Sequence, residues 1–243
     1  MKATRLFVAL VLAVGLSTLS ANADLSSTFS QGNLAAKVTF AQDGTNLLVT
    51  LQNTATAGAS VPKDALTGVY FSLPGVTLTP VRVVLASGSK VVHPDWGSGV
   101  DSHGEIGGEY AYRSGISGVP SGADMVLASS GMGIVGPHDR FPGWNLSGQN
   151  APGGLNYGII SGIADDANRK VKKTPLVKDS VIFTLAGLPS DFDLAGNLDL
   201  DGVRFNYGTA FNPVGDFSVP APGAAVLGLI GLAMVGMWRR NHT

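Results

Sequence analysis

Closely spaced acids and amides fill the segment 191–201 and could bind a hard cation. Closely spaced carboxylate and amide oxygens suit Ca²⁺, which takes about six to eight oxygen ligands. The run from Asn197 to Gly202 matches the start of an EF-hand loop, but Gly208 occupies the twelfth position instead of glutamate. Asx turns between two strands would account for the same residues. The candidate calcium ligands are Asp191, Asp193, Asn197, Asp199 and Asp201.

Three histidines in the middle of the chain each lie beside or near an acidic residue. Imidazole and carboxylate together can bind a transition metal or exchange protons. The spacing of these residues matches no helix-borne or finger-type metal motif. Polar turn residues in glycine-rich loops would give the same pattern. The motifs are His93-x-Asp95, His103-x-Glu105 and His138-Asp139.

The signatures of an enzyme are weak in this chain. There is no cysteine and no G-x-S-x-G motif that would present a nucleophilic serine. Glu105 and Glu109 could act as a glycosidase pair only with the right separation in space. Trp96, Trp144 and Tyr110 could stack on sugars or simply pack in the core or loops. We therefore expect no enzymatic activity and no cofactor apart from the calcium hypothesis.

Composition limits the class of protein. The chain has 243 residues with 16 basic and 17 acidic side chains. Four of the basic residues (Lys2, Arg5, Arg239, Arg240) lie in the two ends, so the body between them carries 12 basic and 17 acidic residues, a net charge of −5. This acidic balance argues against nucleic acid as a partner. Without disulfides the body must be stabilised by its core, and it is long enough to bury one.

Short alternating segments separated by turn residues predict the fold. The body shows no helical period over three turns, while several segments alternate apolar and polar residues. Pro80 lies within one of them and predicts an edge strand, a bulge or two shorter pieces. We therefore predict an all-β fold: a single antiparallel β-sandwich or jelly-roll-like domain over residues 24–218. The predicted strands include 34–40, 47–53, 66–73, 76–86, 157–161, 179–185 and 202–207.

The first 23 residues have the pattern of a secretory signal peptide. Lys2 and Arg5 are followed by the apolar run 6–19 and by the small residues Ala21 and Ala23 around Asn22. This order predicts cleavage by signal peptidase after Ala23, so that the mature chain begins at Asp24.

The last 25 residues combine a proline motif, an apolar run and a basic end. The segment 221–238 carries no charge and is about 27 Å long as a helix, close to the ~30 Å hydrocarbon core of a bilayer. We predict a transmembrane helix there, with the basic end kept in the cytoplasm. The residues of the motif and the basic end are Val219, Pro220, Ala221, Pro222, Gly223, Arg239 and Arg240.

This tail, residues 219–243, resembles the PEP-CTERM sorting signal of bacterial exosortase substrates, with Ala221 where the family has glutamate. The resemblance implies that an exosortase cleaves near the motif after the helix has entered the membrane. The body also looks like a group of exosortase-dependent surface proteins of unassigned activity. The segments that carry this second resemblance are 47–54, 61–62, 66–71, 107–112 and 155–159.

Together these patterns predict an exported protein that is anchored in the inner membrane as a precursor and then reaches the cell surface or extracellular matrix. Its expected role there is structural or adhesive and non-enzymatic, with signal peptidase, the exosortase and exopolysaccharide as candidate partners. The alternative is a secreted carbohydrate-binding or carbohydrate-active protein that uses the loops of residues 92–139.

Overall fold

The structure is a computed structural model and describes residues 24–92, 104–143, 152, 154–163, 171 and 174–215. Strands account for 42% of the described residues and helices for 6%, which confirms the prediction of an all-β protein. The strands form two sheets, one of five strands and one of eight.

The five-stranded sheet is antiparallel throughout and has the order β1-β2-β3-β11-β5. Its first three strands form a meander through tight turns at Gly32 and Gly44, whose φ angles of 60° and 59° favour glycine. The strand β11 comes from the last third of the chain and inserts between β3 and β5. The strand bounds are Leu25–Gln31 (β1), Leu34–Asp43 (β2), Asn46–Asn53 (β3), Thr79–Leu85 (β5) and Ser180–Ala186 (β11).

The larger sheet is mixed. Its main path runs β13-β12-β4-β9-β10-β6, and β8 pairs with both β4 and β7. The pair β9–β10 is parallel, whereas every other pair of described strands is antiparallel. The bounds are Leu66–Phe71 (β4), Lys90–Val92 (β6), Ala111–Ser114 (β7), Met125–Ala128 (β8), Ile159–Ile160 (β9), Leu176–Lys178 (β10), Arg204–Tyr207 (β12) and Pro213–Val214 (β13), and one short helix, Leu194–Asn197 (α1), precedes β12.

One hydrophobic core lies between the two sheets and follows directly from the alternation in the sequence. In β2, Ala36, Val38 and Phe40 are fully buried while their neighbours are half-exposed. Rings from the two sheets meet in this core: the centroids of Phe40 and Phe71 are 5.4 Å apart. Burial of side chains of this size stabilises the fold by about 1.5–3 kcal/mol each. The shared core therefore fixes which face of each strand points inward.

The two edges of the five-stranded sheet differ. At the β5 edge, Pro80 lies beside a bulge opposite Thr184–Leu185, as the sequence predicted from this proline. The segment 104–106 also covers that edge, because Leu85 N donates to Gly104 O (3.1 Å) and Ile106 N donates to Val83 O (3.0 Å). At the opposite edge, β1 pairs with β2 and with no other described strand.

The predicted targeting segments, 1–23 and 219–243, lie outside the described residues. Within the part of the chain that the structure describes, no helix is long and apolar enough to span a membrane. The described body begins at Asp24, and its last strand ends at Val214.

Candidate functional site

A polar pocket of about 300 Å³ opens between β5, β7 and the turn 136–139. Its position within the loops of residues 92–139 corresponds to the alternative function considered from the sequence. The lining residues are Pro80, Tyr112, Arg113, Ser114, His138 and Asp139.

The turn that carries His138 is held against β7 by its own backbone. Asp139 N donates to Gly136 O (3.2 Å), and the side-chain Oδ2 of Asp139 accepts from Gly136 N (2.7 Å). Tyr112 N then donates to Asp139 O (2.9 Å), and Ala111 forms a bridge with Arg140. These bonds place the carboxylate of Asp139 beside Arg113, which follows Tyr112 on β7.

Arg113 completes the pocket from β7. Its Nη1 donates to Ile134 O (2.7 Å) and to Asp139 Oδ2 (3.2 Å), which forms an ion pair half-open to solvent. An exposed pair of this kind contributes little stability, so its main effect is to fix the direction of the guanidinium. The remaining donors of the planar guanidinium have a fixed geometry for a ligand.

Tyr112 borders the pocket, but its ring belongs to the hydrophobic core and the residue is only 6% exposed. Its hydroxyl is buried. Burial raises the pKa of Tyr112, Ser114 acts in the opposite direction, and Asp124 adds to the rise. Adjacent residues of a strand point to opposite faces, so the Tyr112 side chain lies on the core side of β7 while Arg113 faces the pocket.

The polar groups of this pocket are suited to binding a hydroxyl-rich ligand. Donors from Arg113, His138 and Ser114 lie beside an acceptor carboxylate, as a hydroxyl-rich ligand requires. No hydrogen bond among the described residues links Ser114, His138 and Asp139 in the manner of a nucleophile, base and orienting acid. The other two predicted motifs, His93-x-Asp95 and His103-x-Glu105, have their histidines outside the described residues.

A second cluster of ionisable groups is buried near the start of β7. Glu109, in the short 3-10 turn Gly107–Glu109, is 3% exposed and lies near Arg140. Burial lowers the pKa of Arg140, and Glu109 opposes that shift. Tyr110 Oη donates to Tyr157 O at 2.6 Å. This cluster closes the base of the β7 region, and nothing in it provides open space for a substrate.

Glu105 and Glu109, which were considered as a glycosidase pair, lie on different elements of the structure. Glu105 bridges to Val84 at the edge of β5, whereas Glu109 belongs to the buried 3-10 turn. Of the three aromatic residues considered for sugar stacking, Tyr110 packs in the core edge-on to Phe183 with ring centroids 5.2 Å apart. Trp96 and Trp144 lie outside the described residues.

The acidic segment 191–201 forms capped turns. Asp193 Oδ1 accepts from Gly196 N (3.0 Å) and caps the short helix α1. Asp199 Oδ1 accepts from Gly202 N (3.0 Å) in the next turn. Among the described residues, no three His, Asp or Glu side chains are gathered in a way that could hold a metal. The calcium site therefore stays a prediction, and the local geometry matches the Asx-turn alternative.

Sequence reasoning singled out His138 and Asp139 but not Arg113 or Ser114. The only local signal for Arg113 was its place at the end of the alternating run 109–113. Its partnership with Asp139 depends on a turn 26 positions later in the chain docking beside β7. Such a docking has no signature in either segment alone.

Comparisons of this chain with protein-family models, with curated proteins and with solved structures gave no match. Fold and site thus define an all-β protein with two sheets around a common core and a small polar pocket at one end of β7. They assign it to no family.

Proposed function

We propose that this protein is an exported, exosortase-sorted component of the bacterial cell surface or extracellular matrix, with a structural or adhesive, non-enzymatic role. The observation that carries the proposal is the order of the chain: a signal-peptide pattern at 1–23, a β-rich body, and a proline motif, apolar run and arginines at 219–243. The precursor would be held in the inner membrane by 221–238 before processing.

The strands of the described residues lie within the proposed body. Strand pairing starts at Leu25, directly after the predicted mature N-terminus Asp24, and ends at Val214, before the motif begins at Val219. Removal of both ends would therefore break no described strand. The common core between the two sheets supports the finer proposal that residues 24–218 form a single β-sandwich with a jelly-roll-like architecture.

Mass spectrometry of the native protein from its producing cells tests the proposal. We expect an N-terminus at Asp24 and a C-terminus near Val219. A membrane-bound protein that still ends at Thr243 would indicate a plain membrane anchor instead of exosortase processing. An intact soluble chain that retains Met1 would contradict both export and sorting.

The arginines at the C-terminus allow a matched test of retention. Replacing Arg239 and Arg240 by alanine should weaken membrane retention, because the positive charges resist translocation. Replacing both by lysine keeps the charge and should leave retention unchanged. Deletion of 220–243 should release the body in soluble form.

The polar pocket favours a second candidate function, carbohydrate binding. Arg113, Ser114 and His138 supply donors and Asp139 supplies an acceptor, the usual polar chemistry of a site for hydroxyl-rich ligands. We expect alginate or dextran to retard the protein in affinity electrophoresis.

The variant His138→Ala should then reduce this retardation by about tenfold, the loss expected when one good polar contact is removed. Arg82→Ala is the matched control, because Arg82 is an exposed cation on β5 that does not line the pocket. If the two variants and the wild type are retarded equally, the polysaccharide binds at another surface of the protein.

A further inference from the structure

The first strand of the five-stranded sheet presents a regular backbone edge. β1 pairs with β2 over seven consecutive positions, from Leu25 opposite Phe40 to Gln31 opposite Leu34, with no bulge. Its other side carries no hydrogen bond to any described residue outside β2. A strand in this position presents a row of unpaired N–H and C=O groups.

The direction of these groups follows from a bond on the far side of β2. Ala35 O accepts from Thr54 N (2.9 Å), so Ala35 directs its backbone groups away from β1. Its partner across the hairpin, Ser30, therefore directs its own groups outward from the sheet. Because the pattern has a period of two, the outward groups belong to Ser26, Thr28 and Ser30.

Within the part of the chain that the structure describes, this edge lacks the features that normally prevent edge-to-edge pairing. Natural edges are protected by proline, charges, bulges or a covering segment. The β5 edge has Pro80, the exposed Arg82, a bulge and the covering segment 104–106. The β1 edge, Leu-Ser-Ser-Thr-Phe-Ser-Gln, has no proline and no charge.

The chemistry of β1 suits a second copy of the same chain. The body carries a net charge of −5, so two copies repel one another overall, but β1 brings no charge to such a contact. The side chains of Ser26, Thr28 and Ser30, which stand on one face of the sheet beside this contact, are small hydroxyls that allow two backbones to approach. Antiparallel pairing of β1 with itself is twofold symmetric and closes after two copies, the commonest arrangement of soluble oligomers.

The geometry points to self-association through β1, with the β1 strands of two copies pairing antiparallel and joining their five-stranded sheets into one continuous sheet. Phe29 is fixed in the core and keeps β1 in place, so pairing requires no rearrangement of the body. The inference goes beyond the proposed role at the surface and does not depend on it.

Sedimentation equilibrium of the full chain in mild detergent tests the inference. We expect a dimer in the wild type and in Thr28→Gln. Thr28→Glu should be monomeric, because two carboxylates would face each other near the twofold axis. Within the same copy the new carboxylate lies opposite Lys37, a pair of opposite charges. The variant should therefore keep its fold, which circular dichroism can verify.

Val81→Glu is the matched control at the protected edge, where Val81 is 41% exposed. It should leave the dimer intact. A wild type that stays monomeric up to about 100 µM, a range that covers weak contacts, would overturn the inference. So would a dimer that persists in Thr28→Glu, because the contact would then lie elsewhere, for example between the C-terminal segments.

The absence of cysteine gives a position-specific readout. In the register centred on Thr28, the two Thr28 residues form a hydrogen-bonded pair with Cα atoms about 5.5 Å apart, within the separation of about 4.4–6.8 Å that a disulfide requires. Thr28→Cys should therefore form a covalent dimer on mild oxidation, whereas Val81→Cys should not. Equal cross-linking of the two variants would contradict pairing at β1.

Discussion

Buried tyrosines are the residues whose environments differ most clearly from solution. Tyr110 and Tyr207 are both nearly inaccessible, yet only one of these hydroxyls is satisfied. Tyr110 Oη donates to Tyr157 O, whereas Tyr207 Oη is buried without a hydrogen-bond partner in the described residues. A buried polar group without a partner costs about 1–3 kcal/mol, while a satisfied one contributes about 1 kcal/mol.

The pair of substitutions to phenylalanine should therefore have opposite effects on stability. Tyr110→Phe leaves Tyr157 O without this donor and should lower the melting temperature by about 2–4 °C for each kcal/mol lost. Tyr207→Phe removes an unsatisfied hydroxyl and should leave the melting temperature unchanged or raise it. Thermal unfolding followed by circular dichroism measures both, and equal losses would contradict the assigned hydrogen bonding.

The same tyrosines predict how stability depends on alkaline pH. Burial raises the pKa of Tyr70, Tyr110, Tyr157 and Tyr207 above the ordinary value of 10.0, with Glu109 adding to the rise at Tyr110 and Tyr157. The unfolded chain therefore loses these protons first. Stability from these groups is complete below about pH 10 and falls as the pH rises further.

We expect tyrosinate absorbance near 295 nm to appear together with loss of the β signal in circular dichroism above pH 10. The exposed unfolded state would then be the form that ionises. A smooth titration near pH 10 with the fold intact would show that the hydroxyls are accessible to solvent.

At the scale of elements, the short helix α1 and the turn that follows it show how polar residues can serve structure. Asp193 and Asp199 each use one carboxylate oxygen to accept a backbone N–H. The helix has only four residues and depends on this capping. The other oxygens are those that a cation would have to use.

The calcium prediction is tested by thermal stability in millimolar Ca²⁺, which would raise the melting temperature by mass action on the folded state. Asp199→Asn keeps an oxygen that can accept from Gly202 but removes the charge, and Asp201→Asn removes a second charge. We expect these variants to lose the shift. A shift of equal size in the variants, or with Mg²⁺, would dismiss a specific site.

The elements that sequence predicted correctly are those with strong alternation. In β4, Val69 and Phe71 point into the common core and Tyr70 to the other face, as their period of two indicated. β1 was not predicted, because Leu25 and Phe29 are its only apolar residues among serines, threonine and glutamine. Its burial is decided by pairing with β2, which supplies the hydrophobic neighbours that its own sequence lacks.

At the scale of the whole molecule, composition and alternation were sufficient for the fold class but not for the arrangement of strands. Nothing in β11 indicates that it inserts between β3 and β5, because its partners lie far away in the chain. The parallel pair β9–β10 has only two paired positions and leaves no pattern in the sequence. The pocket likewise depends on a docked turn, so its residues were found only in part.

The insertion of β11 also determines the order in which the molecule can form. Synthesis delivers β1, β2 and β3 first, and they can make a meander by local contacts. Val181 pairs with Leu51, 130 positions earlier, so the free side of β3 must wait for most of the chain. During that interval β3 is an exposed apolar edge, prone to pairing with other nascent chains. A slow late step in refolding, set by closure of β3 on β11, is the kinetic signature to expect.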